Sequence, residues 1–134
     1  MEAITKVKQF LKDAGVFYIA TVDGDRPRVR PFGAVCEFEG KLYIPTNNQK
    51  NVFAQMKANP HIEISAMCQG KWIRLEADAV CDTRREARKA MLDEYSETLT
   101  KMYSLDDGIF EVLYLKNAKA TFCSFTESPE TVEF

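Results

Sequence analysis

Near the start of the chain, Ile4, Val7, Leu11 and Ala14 recur at helical spacing, with Lys6, Lys8 and Lys12 largely on the other faces. That pattern predicts an amphipathic helix of about three turns, ended by Gly15. The pattern then changes. Val16 to Val22 is almost continuously apolar and β-branched, as a buried strand requires, and Asp23 to Pro27 reads as a turn. A second strand is expected over about Arg28–Phe38, a turn at Glu39-Gly40, and a third strand over Lys41–Thr46. A helix carrying Val52, Phe53 and Met56 follows, with Asn48 as its expected N-cap and Asn59-Pro60 as its stop. Strand patterns resume at Ile62–Cys68 and Trp72–Cys81. Thr83 and Glu86 have the spacing of a capping box for a helix bearing Ala87, Met91 and Leu92. The stretch Tyr95–Gly108 reads equally as more helix or as loop. Two last strands are expected at Ile109–Leu115 and Lys119–Phe125, hinged at Asn117, and the polar tail beyond Thr126 is expected on the surface. Consecutive strands joined by short turns, with about three helices, predict a single mainly β domain over 1–134, built as an antiparallel barrel.

Bulk properties narrow the function classes. The chain has 134 residues, 46% hydrophobic and 28% charged, with a formal net charge of −2. That balance fits one folded domain and gives no global attraction to nucleic acid or an anionic membrane. No stretch approaches the ~20 apolar residues of a membrane span, and the N-terminal segment lacks the pattern of a signal peptide, so a cytoplasmic location is expected. Cys36, Cys68, Cys81 and Cys123 are scattered without a C-x-x-C pair, and the one histidine, His61, is not spaced with any of them. They read as free thiols, and no metal site is expected.

Three segments carry candidate chemistry. Arg28 and Arg30 share a strand face in Arg26-Pro-Arg-Val-Arg-Pro-Phe32, either as a fork for an anion or as an exposed edge face. Thr46-Asn-Asn-Gln-Lys-Asn51 spans a strand-to-helix junction, where unpaired helix amides, a hydroxyl and a lysine suit a phosphate, or simply cap a helix. Trp72, Arg74 and Glu76 share a face that could flank a flat ring or hold a cross-strand ion pair. No catalytic dyad stands out, so any redox chemistry is expected from a bound cofactor.

In order and spacing these features resemble the pyridoxamine 5'-phosphate oxidase-like family of FMN-binding split barrels. The matching segments are Phe17–Val22, Arg26–Phe32, Leu42–Thr46, Lys50-Asn51 and Trp72–Glu76, and the chain is most similar to the short, nitroimidazole-reductase-like members. The resemblance implies a six-stranded antiparallel split β-barrel with Greek-key character. It implies FMN, with Arg30 along the phosphate and ribityl chain and the backbone of Val29, Pro31 and Phe32 beside the ring. Thr46, Lys50 and Asn51 would hold the phosphate; Arg28, from the strand-face reading, and Asn47, as an amide donor at the junction, are the further cofactor-binding candidates. Trp72, with Arg74 near it, would come from the second subunit of a homodimer whose cofactor sites lie at the interface. A C-terminal aromatic, Phe122 or Phe125, would also meet the flavin. The implied activity is an oxidoreductase passing electrons from a nicotinamide nucleotide to a small-molecule substrate. The alternatives are a non-catalytic flavin carrier or sensor, or the same fold around haem or a deazaflavin. Vitamin B6 oxidation is not expected: the family's C-terminal Arg-x-His segment has no counterpart after Phe125, and Glu76-Ala77 replaces Glu-Gly.

Overall fold

A computed structural model describes residues 2–134. Helix α1 (Ala3–Ala14) buries Ile4, Val7 and Leu11, and Gly15 ends it with φ 80°, a left-handed conformation glycine adopts without a side-chain clash. The strands are β1 (Phe17–Asp23), β2 (Arg26–Phe32), β3 (Cys36–Phe38), β4 (Lys41–Asn47), β5 (His61–Cys68), β6 (Lys71–Asp82), β7 (Phe110–Ser124) and β8 (Glu130–Glu133). Helices α2 (Asn51–Ala58) and α3 (Arg85–Glu94) and a 3-10 turn at Leu99–Lys101 complete the chain.

All eight strands form one antiparallel sheet in the order β2-β1-β5-β6-β7-β4-β3, with β8 added to β7. The sheet does not close, which makes the fold a split barrel of the β+α class. Alternating burial along β1, β5 and β6 turns Phe17, Ile19, Ile62, Ile64, Ile73 and Leu75 inward. They meet α1 and Met56 of α2 in the larger core. Each fully buried side chain of this kind contributes roughly 1.5–3 kcal/mol over leaving it in water. A second cluster lies under α3, where Met91 and Leu92 pack on Cys36, Tyr43 and Phe110.

The structure departs from the sequence expectations at several places. Among the described residues eight strands are present, where the pattern marks out seven and the resemblance implies six. The expected strand over Arg28–Phe38 is two, because Gly33-Ala34-Val35 leaves the ladder, and Arg26 and Pro27 join β2 instead of the turn. The two expected last strands are one, β7, because β6 pairs with it continuously from Val112 to Ser124, across the expected hinge; Asn117 takes φ 53° near the register shift between Glu76 and Asp78. The tail lies at the surface as expected, with an added strand that the sequence did not announce. It pairs as β8, and Phe134 exchanges both backbone bonds with Ala118.

Candidate functional site

A cavity of about 430 Å³ opens between the end of β2, the β4–α2 junction and the Tyr95–Tyr103 segment. Arg30, Pro31, Phe32, Thr46 and Lys50, all expected site residues, line it together. Its apolar wall comes from Tyr95, Leu99, Met102 and Tyr103, in the stretch whose form the sequence left open. Among the described residues, Arg30 and Lys50 are its only charged lining residues.

Each side chain has a local reason for its place. Lys41–Asn47 is buried on both faces through its middle, so Thr46 arrives at the cavity 5% exposed. Its Oγ1 is buried without a hydrogen-bond partner among the described residues, an arrangement that is costly unless a ligand completes it. Lys50, not Asn48, stands at the N-cap of α2, in extended conformation and with no side-chain cap bond. Asn48 instead bonds Gly108 O at 2.9 Å and Glu111 at 3.0 Å. The Lys50 carbonyl accepts from Phe53 and Ala54. The amides of Asn51 and Val52 have no partner among the described residues, leaving the positive end of α2 open at the cavity. Lys50 is exposed and forms no ion pair among the described residues.

Arg30 is half-buried on the inward face of β2. Its Nη1 donates to Thr21 Oγ1 at 2.7 Å and Ile19 O at 3.3 Å, and its Nη2 to Gln55 Oε1 at 2.7 Å. Burial, and then the neighbouring charge of Arg28, lowers its pKa from the ordinary arginine value. Tyr95 holds the roof. Its hydroxyl accepts from Val35 N at 3.1 Å and donates to Val35 O at 3.0 Å, pairing the backbone at the break between β2 and β3. Tyr103 accepts from Asn47 Nδ2 at 2.8 Å and packs on Phe110 with ring centroids 5.0 Å apart.

The other expected residues lie elsewhere. Arg28 turns to Asp23 at 3.0 Å, at the β1–β2 hairpin. Val29 is exposed on the outer face of the sheet. Asn47 is occupied by Tyr103 and by the Gln49 amide. Asn51 is the exposed first residue of α2. Trp72 and Arg74 sit on the outer face of β6, where Trp72 packs on Phe125 with centroids 5.0 Å apart and Arg74 pairs with Glu63 at 3.5 Å. Phe122 instead packs on Phe10 of α1. His61 is exposed and bonds Asp78 at 2.6 Å, outside the cavity. Sequence reasoning missed Tyr95 and Tyr103, whose only signal was two aromatics, with Leu99, Met102 and Leu105, scattered through a stretch without a clear period. It also missed Thr21 and Gln55, which carried none.

Comparison with known proteins bears on this geometry. Among solved structures, a NimC/NimA family protein from Clostridium acetobutylicum is 50% identical, with a TM-score of 0.94, over 97% of this chain and 91% of that one. A pyridoxamine 5'-phosphate oxidase-related, FMN-binding protein from Nostoc punctiforme shares the fold at 15% identity and a TM-score of 0.62, over 98% of this chain and 94% of that one. A haem-binding protein from Mycobacterium smegmatis does so at 15% identity and a TM-score of 0.71, over 94% of this chain and 57% of that one. Among curated proteins none matches significantly. The model of the pyridoxamine 5'-phosphate oxidase family matches residues 3–133, and the chain belongs to that family.

Proposed function

We propose that this protein binds FMN in the cavity between β2, α2 and the Tyr95–Tyr103 segment and works as an oxidoreductase. It would pass electrons from a nicotinamide nucleotide to a small oxidant. The observation that carries the reading is the buried, unpartnered Thr46 hydroxyl in a cavity whose only charged lining residues, among the described residues, are Arg30 and Lys50. A phosphate monoester carries close to two negative charges. It matches two cations, a free hydroxyl and the open end of α2. The cavity lies in the size range of small-molecule sites, ~300–1,000 Å³, and its wall of Tyr95, Leu99 and Met102 suits a flat ring system. FMN would supply the electron transfer. The chain would fix the phosphate through Lys50 and Thr46, orient the ring against the β2 backbone, and restrict water through the Tyr95–Tyr103 roof. Among the described residues the cavity lining holds no carboxylate or imidazole, so no side-chain acid or base is assigned. A haem reading is less well supported, because the one imidazole lies outside the cavity, bonded to Asp78.

The same proposal includes a homodimer. The outer sheet face that carries Trp72 also exposes Val29, Met67 and Phe125. A second copy covering this face would bring the Trp72–Phe125 pair toward its partner's cofactor.

The test is titration with FMN and riboflavin, followed by visible absorbance and flavin fluorescence. The parent is expected to bind FMN more tightly than riboflavin. Lys50→Ala or Arg30→Ala is expected to weaken FMN by about 1.5–3 kcal/mol, the range for charged hydrogen bonds, and to leave riboflavin nearly unchanged. A parent that does not take up FMN ends the flavoprotein reading.

A further inference from the structure

We infer that Thr21 and Gln55 are positioning residues that hold the Arg30 guanidinium at the cavity wall without neutralising it, keeping its charge for an anionic group bound there. The inference rests on the anion reading of the cavity. Of the six other arginines, four are matched by carboxylates: Arg28 with Asp23 at 3.0 Å, Arg74 with Glu63 at 3.5 Å, Arg84 with Asp82 at 2.9 Å and Arg85 with Asp106 at 2.9 Å; among the described residues Arg26 has no such partner and Arg88 donates to the Thr83 carbonyl. Arg30 is half-buried, where a carboxylate partner would help it most, yet it meets only neutral acceptors. Thr21 Oγ1 accepts from Arg30 and donates to Gln55 Oε1 at 2.6 Å. Gln55 Oε1 therefore accepts from both, and the three side chains close a triangle between β1, β2 and α2. Thr21 is 3% exposed, so the triangle is anchored in the core.

A neutral cage does two things at once. It fixes a long side chain whose freedom would otherwise be lost on binding. It also leaves the positive charge uncompensated in a partly desolvated place, where attraction to an anion is stronger than in water. The triangle joins α2 to β1 and β2, so it also fixes the helix whose open N-terminus faces the cavity.

Gln55→Glu tests this directly. It preserves the shape and both acceptor roles and adds one negative charge against Arg30. Positioning without neutralisation predicts that Q55E folds at least as stably as the parent but binds FMN about 10-fold more weakly, with riboflavin unchanged. Thr21→Val, which removes the hydroxyl, is expected to weaken FMN, and Thr21→Ser to restore it. Gln55→Met loses the acceptor and serves as the second variant should Q55E unfold. Inorganic phosphate is titrated in parallel by thermal shift. If the parent binds FMN and Q55E binds it equally, the inference is overturned and the flavin reading stands. If the parent binds phosphate but not FMN, and Q55E loses phosphate affinity, the inference stands and the flavin reading falls. Binding of neither ligand by the parent overturns both.

Discussion

Asp82, the last residue of β6, is nearly buried. Its carboxylate accepts from Tyr43 Oη at 2.7 Å, Arg84 Nη2 at 2.9 Å and the Arg84 amide at 3.1 Å. The Arg84 side chain does most to lower the Asp82 pKa to about 2, and Tyr43 assists. Burial first, and then the Asp82 carboxylate, raises the Tyr43 pKa, so that phenol stays a donor. The folded Asp82 pKa lies below the unfolded value of about 3.9. Its contribution is therefore present above pH ~4 and is lost as the pH falls from ~4 toward ~2. Asp82→Asn is expected to cost about 1–3 kcal/mol at neutral pH and to flatten the loss of stability between pH 4 and 2, as read from urea unfolding at stepped pH. An unchanged acid slope would mean that other carboxylates govern acid unfolding. The same residue explains a failed expectation. Asp82 receives the Arg84 amide ahead of α3, so the helix begins with Arg84 at its N-cap and no side-chain cap bond, and the Thr83–Glu86 box does not form. Adjacent Asp and Thr are both good cap residues, and nothing local decides between them. The buried tyrosine that recruits Asp82 lies 39 positions away.

At the scale of elements, β1 was legible from its run of apolar and β-branched residues, although it is buried on one face only and leaves Tyr18 and Val22 exposed, and α1 because its apolar stripe is clean. The 95–108 stretch was not legible because its order comes from distant partners. Tyr95 meets Val35, 60 positions away, and Tyr103 meets Asn47, 56 positions away. Asp107 caps the amides of Ile109, Phe110 and Ser104, which ends the segment and opens β7. Tyr95→Phe keeps the ring but leaves the Val35 N–H and C=O unpaired. It is expected to cost about 1–3 kcal/mol in urea unfolding and to speed FMN release measured by flavin fluorescence. Equal stability and equal release would show that the roof is held by packing alone. Of the candidate site, the β2 and β4–α2 portions could be read from charge and junction, and the apolar wall could not.

For the whole molecule, the outer face of β2, β1, β5 and β6 is the surface that needs an explanation. Val29 is 67% exposed, Met67 64% and Phe125 85%. They lie around Tyr18 and Trp72, among polar neighbours such as Glu63 and Arg74. Apolar residues gathered in this way commonly mark an interface, and an obligate dimer needs upwards of ~2,000 Å². Sedimentation is expected to give twice the chain mass, Met67→Glu to give a monomer, and the monomer to hold FMN less tightly. A parent that sediments as a monomer while binding FMN tightly would remove the second subunit from the site.

The roof over the cavity has a separate consequence. The Tyr95–Tyr103 wall takes no place in the sheet's ladders, and its side-chain hydrogen bonds reach the barrel through Tyr95 and Tyr103. Between those anchors and the buried Leu99, the exposed cavity-lining Thr98 and Met102 can therefore change without shifting the register of any strand or removing a core contact. Descendants of this chain could acquire new reaction partners by rewriting one short stretch while inheriting the rest of the scaffold intact.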